Sequence, residues 1–227
     1  MKARTIRIIA VLALLAGVVI FCWPYITQYF YDQNVSKIVE SFEADVQSGG
    51  DTLLDTLYQR MVRENEQLSA KGQMQLRDPF AYEQAGLDLV PYGLTDNIVG
   101  YISIPKMDIV LPIYLGASLE NMKLGAVHLT QTSYPVGGPD TNCVIAAHRG
   151  YRKALMFRRI ELLETGDSVE IRNFRETLTW RVVEIKVINP DDIHEILIQP
   201  GRELVTLITC HPYPGHKMRI IVICERQ

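Results

Sequence analysis

The sequence predicts a mainly β protein, a closed or nearly closed β-barrel of about seven or eight short strands with short helices, preceded by an N-terminal membrane anchor and a helical segment. Two observations carry this. From Ile98 onward the chain consists of short β-branched and aromatic runs separated by turn residues, with a single helical run among them. Ahead of them, a basic start leads into an uncharged apolar run and then into a stretch with helical spacing. At 227 residues the chain holds one good-sized domain plus appendages, with ample length for a core.

Taken in order, "MKARTIR" supplies Lys2, Arg4 and Arg7, and "IIAVLALLAGVVIFCW" then runs uncharged to Pro24. "PYITQYFY" extends the run with interfacial aromatics toward about 20 residues, the length a bilayer requires. No small-x-small cleavage site follows, and Phe21 before Cys22 does not suit a lipoprotein cysteine. Residues 1–29 therefore read as an uncleaved signal anchor, with its positive end in the cytoplasm and everything after about residue 30 outside. Residues 30–75 read as a helical extension of two helices divided at Gly49-Gly50, with Leu53, Leu54, Leu57, Met61 and Leu68 as the apolar stripe. A loop spans residues 76–94, and the barrel occupies residues 95–227. Its expected strands are "IVGYISI", "IVLPIYL", "NCVIAAH", "DSVEIRN", "LTWRVVEIKVI", "LVTLITC" and "RIIVIC", and "ALMFRRIELLE" is the helical run.

Charge and cysteine content narrow the chemistry. A net charge of −3 without a basic stripe gives no reason to expect nucleic acid. The four cysteines, at 22, 143, 210 and 224, form no CxxC pair, and His211 and His216 beside Cys210 have no second cluster to complete a metal site. No metal and no cofactor are expected. Cys143 and Cys224 fall in apolar runs and read as buried thiols, with a disulfide between them left open. His128 in "GAVHL" reads as a structural histidine with its hydrogen bonds satisfied.

Cys210 is different. It closes an apolar strand, as His148 does in "NCVIAAHRG", and Arg219 opens the strand that follows the loop "HPYPGHKM". A thiol attacks as thiolate, so a catalytic cysteine needs a basic or positive partner and a donor for the oxyanion it creates. Strand ends at a barrel rim bring side chains from separate strands together. Each residue alone has an ordinary structural reading; the combination of the three points to a nucleophile.

These residues resemble the sortase family, the membrane-anchored cysteine transpeptidases of Gram-positive surfaces. "TLITC" matches their TLxTC signature, "AAHRG" looks like their catalytic histidine segment, and Arg219 falls where their catalytic arginine is expected. The likeness runs from about Asp78 to Arg226, and Pro-Tyr after the cysteine together with the long N-terminal extension looks most like class C, the pilus-assembling group. The resemblance implies that Cys210 attacks the Thr–Gly carbonyl of an LPXTG-like sorting motif and forms a thioacyl enzyme. It implies that His148 acts as acid and base, and that Arg219 stabilises the oxyanion or positions the peptide. The implied partners are sorting-motif proteins, pilin subunits among them, an acceptor lysine or cell-wall peptide amine, and the membrane.

The same resemblance makes Asp78, Pro79 and Phe80 a lid, with Asp78 pairing Arg219 and Phe80 shielding Cys210. Asp78-Pro79 is equally a good N-cap and N1 pair for a short helix, and the two readings are compatible. Two departures stand out. His211 replaces the small hydroxyl residue expected after the cysteine and reads as an exposed loop histidine. No second hydrophobic helix follows "CERQ", which favours a sortase attaching proteins to cell-wall precursor amines as the alternative. A non-enzymatic peptide-binding barrel with a structural Cys210, and a hydrolytic cysteine protease, complete the rivals.

Overall fold

The apolar runs pair edge to edge until no strand edge is left open. The computed structural model describes residues 2–73, 85–151, 154–214 and 217–227. Asp78, Pro79, Phe80 and His216 lie outside the described residues. The strands are β1 (Ile98–Ile104), β2 (Ile109–Leu115), β3 (Ala126–His128), β4 (Thr141–Ala146), β5 (Ser168–Asn173), β6 (Thr177–Ile188), β7 (Glu203–His211) and β8 (Met218–Arg226). They close in the order β1-β2-β3-β4-β7-β8-β6-β5. Two neighbouring pairs, β2–β3 and β4–β7, are parallel, and the other six are antiparallel.

Every residue of β4 is buried, as are six of nine in both β7 and β8, so these strands read as near-continuous apolar runs rather than alternating ones. In β5 burial alternates, as expected where one face meets water. Gly100 marks the tightest seam. A Cβ there would lie 2.1 Å from the Arg172 carbonyl oxygen and 2.9 Å from the Asn173 Cα, across the β1–β5 pairing.

Seven of the strands fall where the sequence places them, within a residue or two. β3 escapes sequence reading because three residues carry no detectable period, and the six-residue helix α3 (Leu119–Leu124) before it is equally short. "ALMFRRIELLE" forms a 3₁₀ helix over Met156–Leu162 rather than an α-helix, with non-helical backbone at Phe157 and Arg159. Its Met156, Phe157 and Ile160 are buried against the barrel, so packing overrides local propensity.

The N-terminal part differs from expectation in one respect. The anchor and the first extension helix form a single helix, α1 (Lys2–Ser48), which passes through Pro24 without a break; the break comes at Gly49-Gly50, as expected. Pro24 lacks an N–H, but its carbonyl accepts from the Thr27 hydroxyl at 2.9 Å. α1 is the one helix among the described residues long and apolar enough to cross a membrane.

Beyond the apolar part, α1 docks on the barrel through buried Val35 and Phe42, and Glu43 forks onto Arg172 at 3.1 and 3.2 Å. The second helix, α2 (Asp51–Lys71), buries Leu54, Leu57, Met61 and Asn65, while Leu53 is exposed. Asn65 exchanges hydrogen bonds with both backbone groups of Tyr134, at 2.7 and 3.3 Å, and pins α2 to the loop after β3.

Candidate active site

Position comes first from register. In the parallel β4–β7 ladder the last pair is Ala146↔Ile208, and Ala147 still donates its N–H to the Ile208 carbonyl at 3.3 Å. On the other side of β7, Cys210 pairs directly with Arg219 of β8. Neighbouring strands lie about 4.8 Å apart, so Cys210 and Arg219 sit side by side, and His148 lies two residues past the last β4–β7 pair at the same end of the barrel. The expected juxtaposition of Cys210 and Arg219 is thus set by an antiparallel pairing.

His148 leaves the ladder because its carbonyl turns away to accept the Phe157 N–H at 3.0 Å. Its ring stacks on Tyr151, with centroids 4.9 Å apart and planes 16° from parallel. Half-burial draws its pKa below the usual histidine value and favours the neutral imidazole. Cys210 is partly exposed, whereas Arg219 is 6% exposed and donates to the Met218 carbonyl at 3.0 Å.

Several neighbours of these residues make contacts that the sequence does not show. Arg149, 5% exposed, donates from Nη1 to the Cys210 carbonyl at 3.3 Å and to His211 Nδ1 at 2.7 Å. Its Nη2 meets Glu161 of the 3₁₀ helix at 2.6 Å. This guanidinium holds the Glu161 carboxylate below the ordinary range. The Arg158 guanidinium lies 4.3 Å over the Tyr213 ring, tying the same helix to the loop after β7. An arginine next to His148 was visible in "AAHRG", but the carboxylate it needs lies twelve residues on, in the segment read as a helical run.

His211 requires a correction. It closes β7 instead of standing free in a loop, and its side chain is only 23% exposed between Arg149 and Glu161. Cys143 and Cys224 are free, buried thiols whose pKa values burial pushes up. Val205 pairs with both of them, on opposite sides of β7, so their Cα atoms lie about 9.5 Å apart, beyond disulfide reach. His128 is 1% exposed, with Nε2 on the Ser133 and Thr132 carbonyls at 3.1 and 3.3 Å and its ring stacked on Tyr134. A cleft of about 630 Å³, lined by Val35, Ser36, Tyr101 and Val110 among others, lies between α1 and β1–β2, across the barrel from Cys210.

A closed barrel with a partly exposed thiol between an imidazole and a guanidinium at its strand ends has the layout of a cysteine-dependent acyl-transfer enzyme. The family model "Sortase domain" matches residues 102–227, and the chain belongs to the sortase family, whose members are cysteine transpeptidases. Among curated relatives, Sortase D of Bacillus subtilis is 29% identical over 52% of this chain, which spans 57% of that protein's length. Among solved structures, Sortase C1 of GBS Pilus Island 1 superposes with a TM-score of 0.78 at 27% identity, covering 85% of this chain and 92% of that one. A lid mutant of Streptococcus agalactiae Sortase C1 gives 0.74 at 26% identity, covering 83% and 96%.

Proposed function

We propose that this protein is a membrane-anchored class C transpeptidase that cleaves an LPXTG-like motif between Thr and Gly and joins the new acyl end to an amine, a pilin lysine. The observation that carries this reading is the direct pairing of Cys210 with Arg219, with His148 two residues past the last β4–β7 pair at the same end of the barrel; the likeness to a pilus-island Sortase C1 supports the class. His148 takes the thiol proton of Cys210, the sulfur adds to the threonine carbonyl, and Arg219 faces the negative charge that develops on its oxygen. His148 gives a proton to the departing glycine nitrogen, leaving a thioester on Cys210. The incoming lysine amine attacks that thioester and loses its proton to His148, and an isopeptide bond replaces the carbon–sulfur bond.

In this reading residues 1–29 anchor the chain with the basic end in the cytoplasm, residues 30–75 brace the barrel, residues 76–94 form the lid, and residues 95–227 carry the chemistry on the outer surface. The described residues on either side of 78–80 are tied to the loop after β3. Gln73 donates to the Gln131 carbonyl at 3.0 Å and the Thr130 hydroxyl donates to the Ala85 carbonyl at 2.7 Å, so both flanks sit near the start of β4.

The test is mass spectrometry of the full chain in detergent, incubated with an LPXTG peptide and a lysine-bearing pilin fragment. An adduct on Cys210 and an isopeptide product, both absent from Cys210→Ala, are the expected result. Resolution only by glycine-type amines would move the protein to cell-wall anchoring, and resolution only by water to proteolysis. Absence of any adduct, with Asp78 and Phe80 replaced by alanine as well, would leave a binding barrel. His148→Ala and Arg219→Ala are each expected to lower turnover at least a hundredfold in folded protein.

A further inference from the structure

We propose that Arg149 and His211 form a clamp that positions Cys210 for its reaction, with His211 serving as a neutral hydrogen-bond acceptor rather than as a base. The proposal rests on the transpeptidase reading for its turnover measurements alone. Arg149 follows His148 directly in the chain, yet its guanidinium reaches across to the Cys210 carbonyl at 3.3 Å. One side chain thus bridges the loop that carries the imidazole and the strand end that carries the thiol. A guanidinium has no acceptor, so in the 2.7 Å contact with His211 the proton belongs to Arg149 and Nδ1 offers its lone pair. Glu161, at 2.6 Å from Nη2 and 3.5 Å from His211 Nδ1, balances the charge and anchors the assembly to the 3₁₀ helix.

Stability alone gives little reason for this arrangement. Arg149 is 5% exposed, and its Nε–H is buried without a hydrogen-bond partner among the described residues, a cost that an apolar side chain of similar volume would avoid. What the guanidinium provides is a fixed spacing between two reacting groups held on separate segments. Misplacing reacting groups by about an ångström costs on the order of a hundredfold in rate, so a partial loosening is enough to be measured.

Two readouts on the full chain in detergent test this. The first is kcat and KM with the sorting peptide and amine acceptor; the second is the rate of Cys210 alkylation by iodoacetamide, which needs no turnover. Asparagine places its amide oxygen where histidine Nδ1 sits; leucine fills the space without an acceptor. Arg149→Met and His211→Leu are expected to lower kcat roughly tenfold with KM within about twofold. His211→Asn is expected to restore kcat, and Arg149→Met combined with His211→Leu to be no worse than the poorer single variant. The alkylation rate should follow the same order.

Equal kcat for His211→Leu and His211→Asn, a loss confined to KM, or additive losses would each overturn the clamp. His211 lies at the surface end of the strand, so the leucine–asparagine comparison stands even if Arg149→Met fails to fold. Should the wild type turn over no peptide while alkylation still separates leucine from asparagine, the transpeptidase reading falls and the clamp survives.

Discussion

At the scale of single residues, burial decides what each titratable group does. His128 has no access to water and its pKa is pulled down to about 4 by desolvation, against the two carbonyls that hold its Nε2–H. The unfolded chain takes up this proton near pH 6.5 while the folded protein refuses it until about pH 4. Stability therefore falls as pH drops through that window, by about 3 kcal/mol at its lower end. Urea unfolding at pH 7 and pH 4.5 should show the slope. His128→Gln, which keeps a donor at the Nε2 position and cannot titrate, should flatten it. An unchanged slope in that variant would move the effect to other groups. Cys143 and Cys224 should resist alkylation in the folded protein, whereas Cys210 reacts. If Asp78 and Phe80 form a lid, alanine at both should speed that reaction several-fold; an unchanged rate would count against a lid.

Among the elements, the seams bear most of the constraint. Gly100 allows β1 and β5 to approach so closely that any Cβ meets backbone, which cannot move aside as a side chain can. Gly100→Ala should destabilise the barrel by about 2–3 kcal/mol, read as a lower urea midpoint. A variant of wild-type midpoint would mean that the seam opens freely. α2 is held differently, through the paired hydrogen bonds between Asn65 and Tyr134. Asn65→Leu leaves a backbone N–H and a carbonyl unsatisfied and should cost about 2 kcal/mol, despite adding apolar surface. A more stable variant would show that packing outweighs pairing there. "LVTLITC" and "RIIVIC" were legible as strands because β-branched residues crowd both faces. The 3₁₀ helix was not legible as such, since its apolar spacing is the same as that of an α-helix and the kink at Phe157 arises from packing.

For the whole molecule, one continuous helix joins the apolar N-terminal run to the barrel. α1 leaves the apolar region and reaches Glu43 without a break, so the fork between Glu43 and Arg172 ties the barrel to the helix that carries the apolar run. With the apolar run as the membrane anchor proposed above, such a tether would hold the site at a set height above the bilayer, about 1.5 Å per residue of helix. Deleting residues 1–29 should release the protein from membranes in a flotation assay without unfolding the barrel. Protein that still floats would locate a second membrane contact outside α1.

The order of apolar runs, the charged-then-apolar start and the strand-end positions of His148, Cys210 and Arg219 were determined by the sequence itself, because hydrophobic period and turn residues are local signals. So was the family likeness, carried by "TLITC" and "AAHRG". Only the tertiary structure decided that β4 and β7 run parallel side by side, which brings the segment carrying His148 to the Cys210 end of β7, and that Val205 stands between Cys143 and Cys224. The same is true of Arg149, Glu161 and His211, which meet although 12 and 50 residues separate one from the next. Contacts of this kind depend on which strands become neighbours. That choice minimises exposed apolar surface over the whole chain, and no short stretch of sequence encodes it.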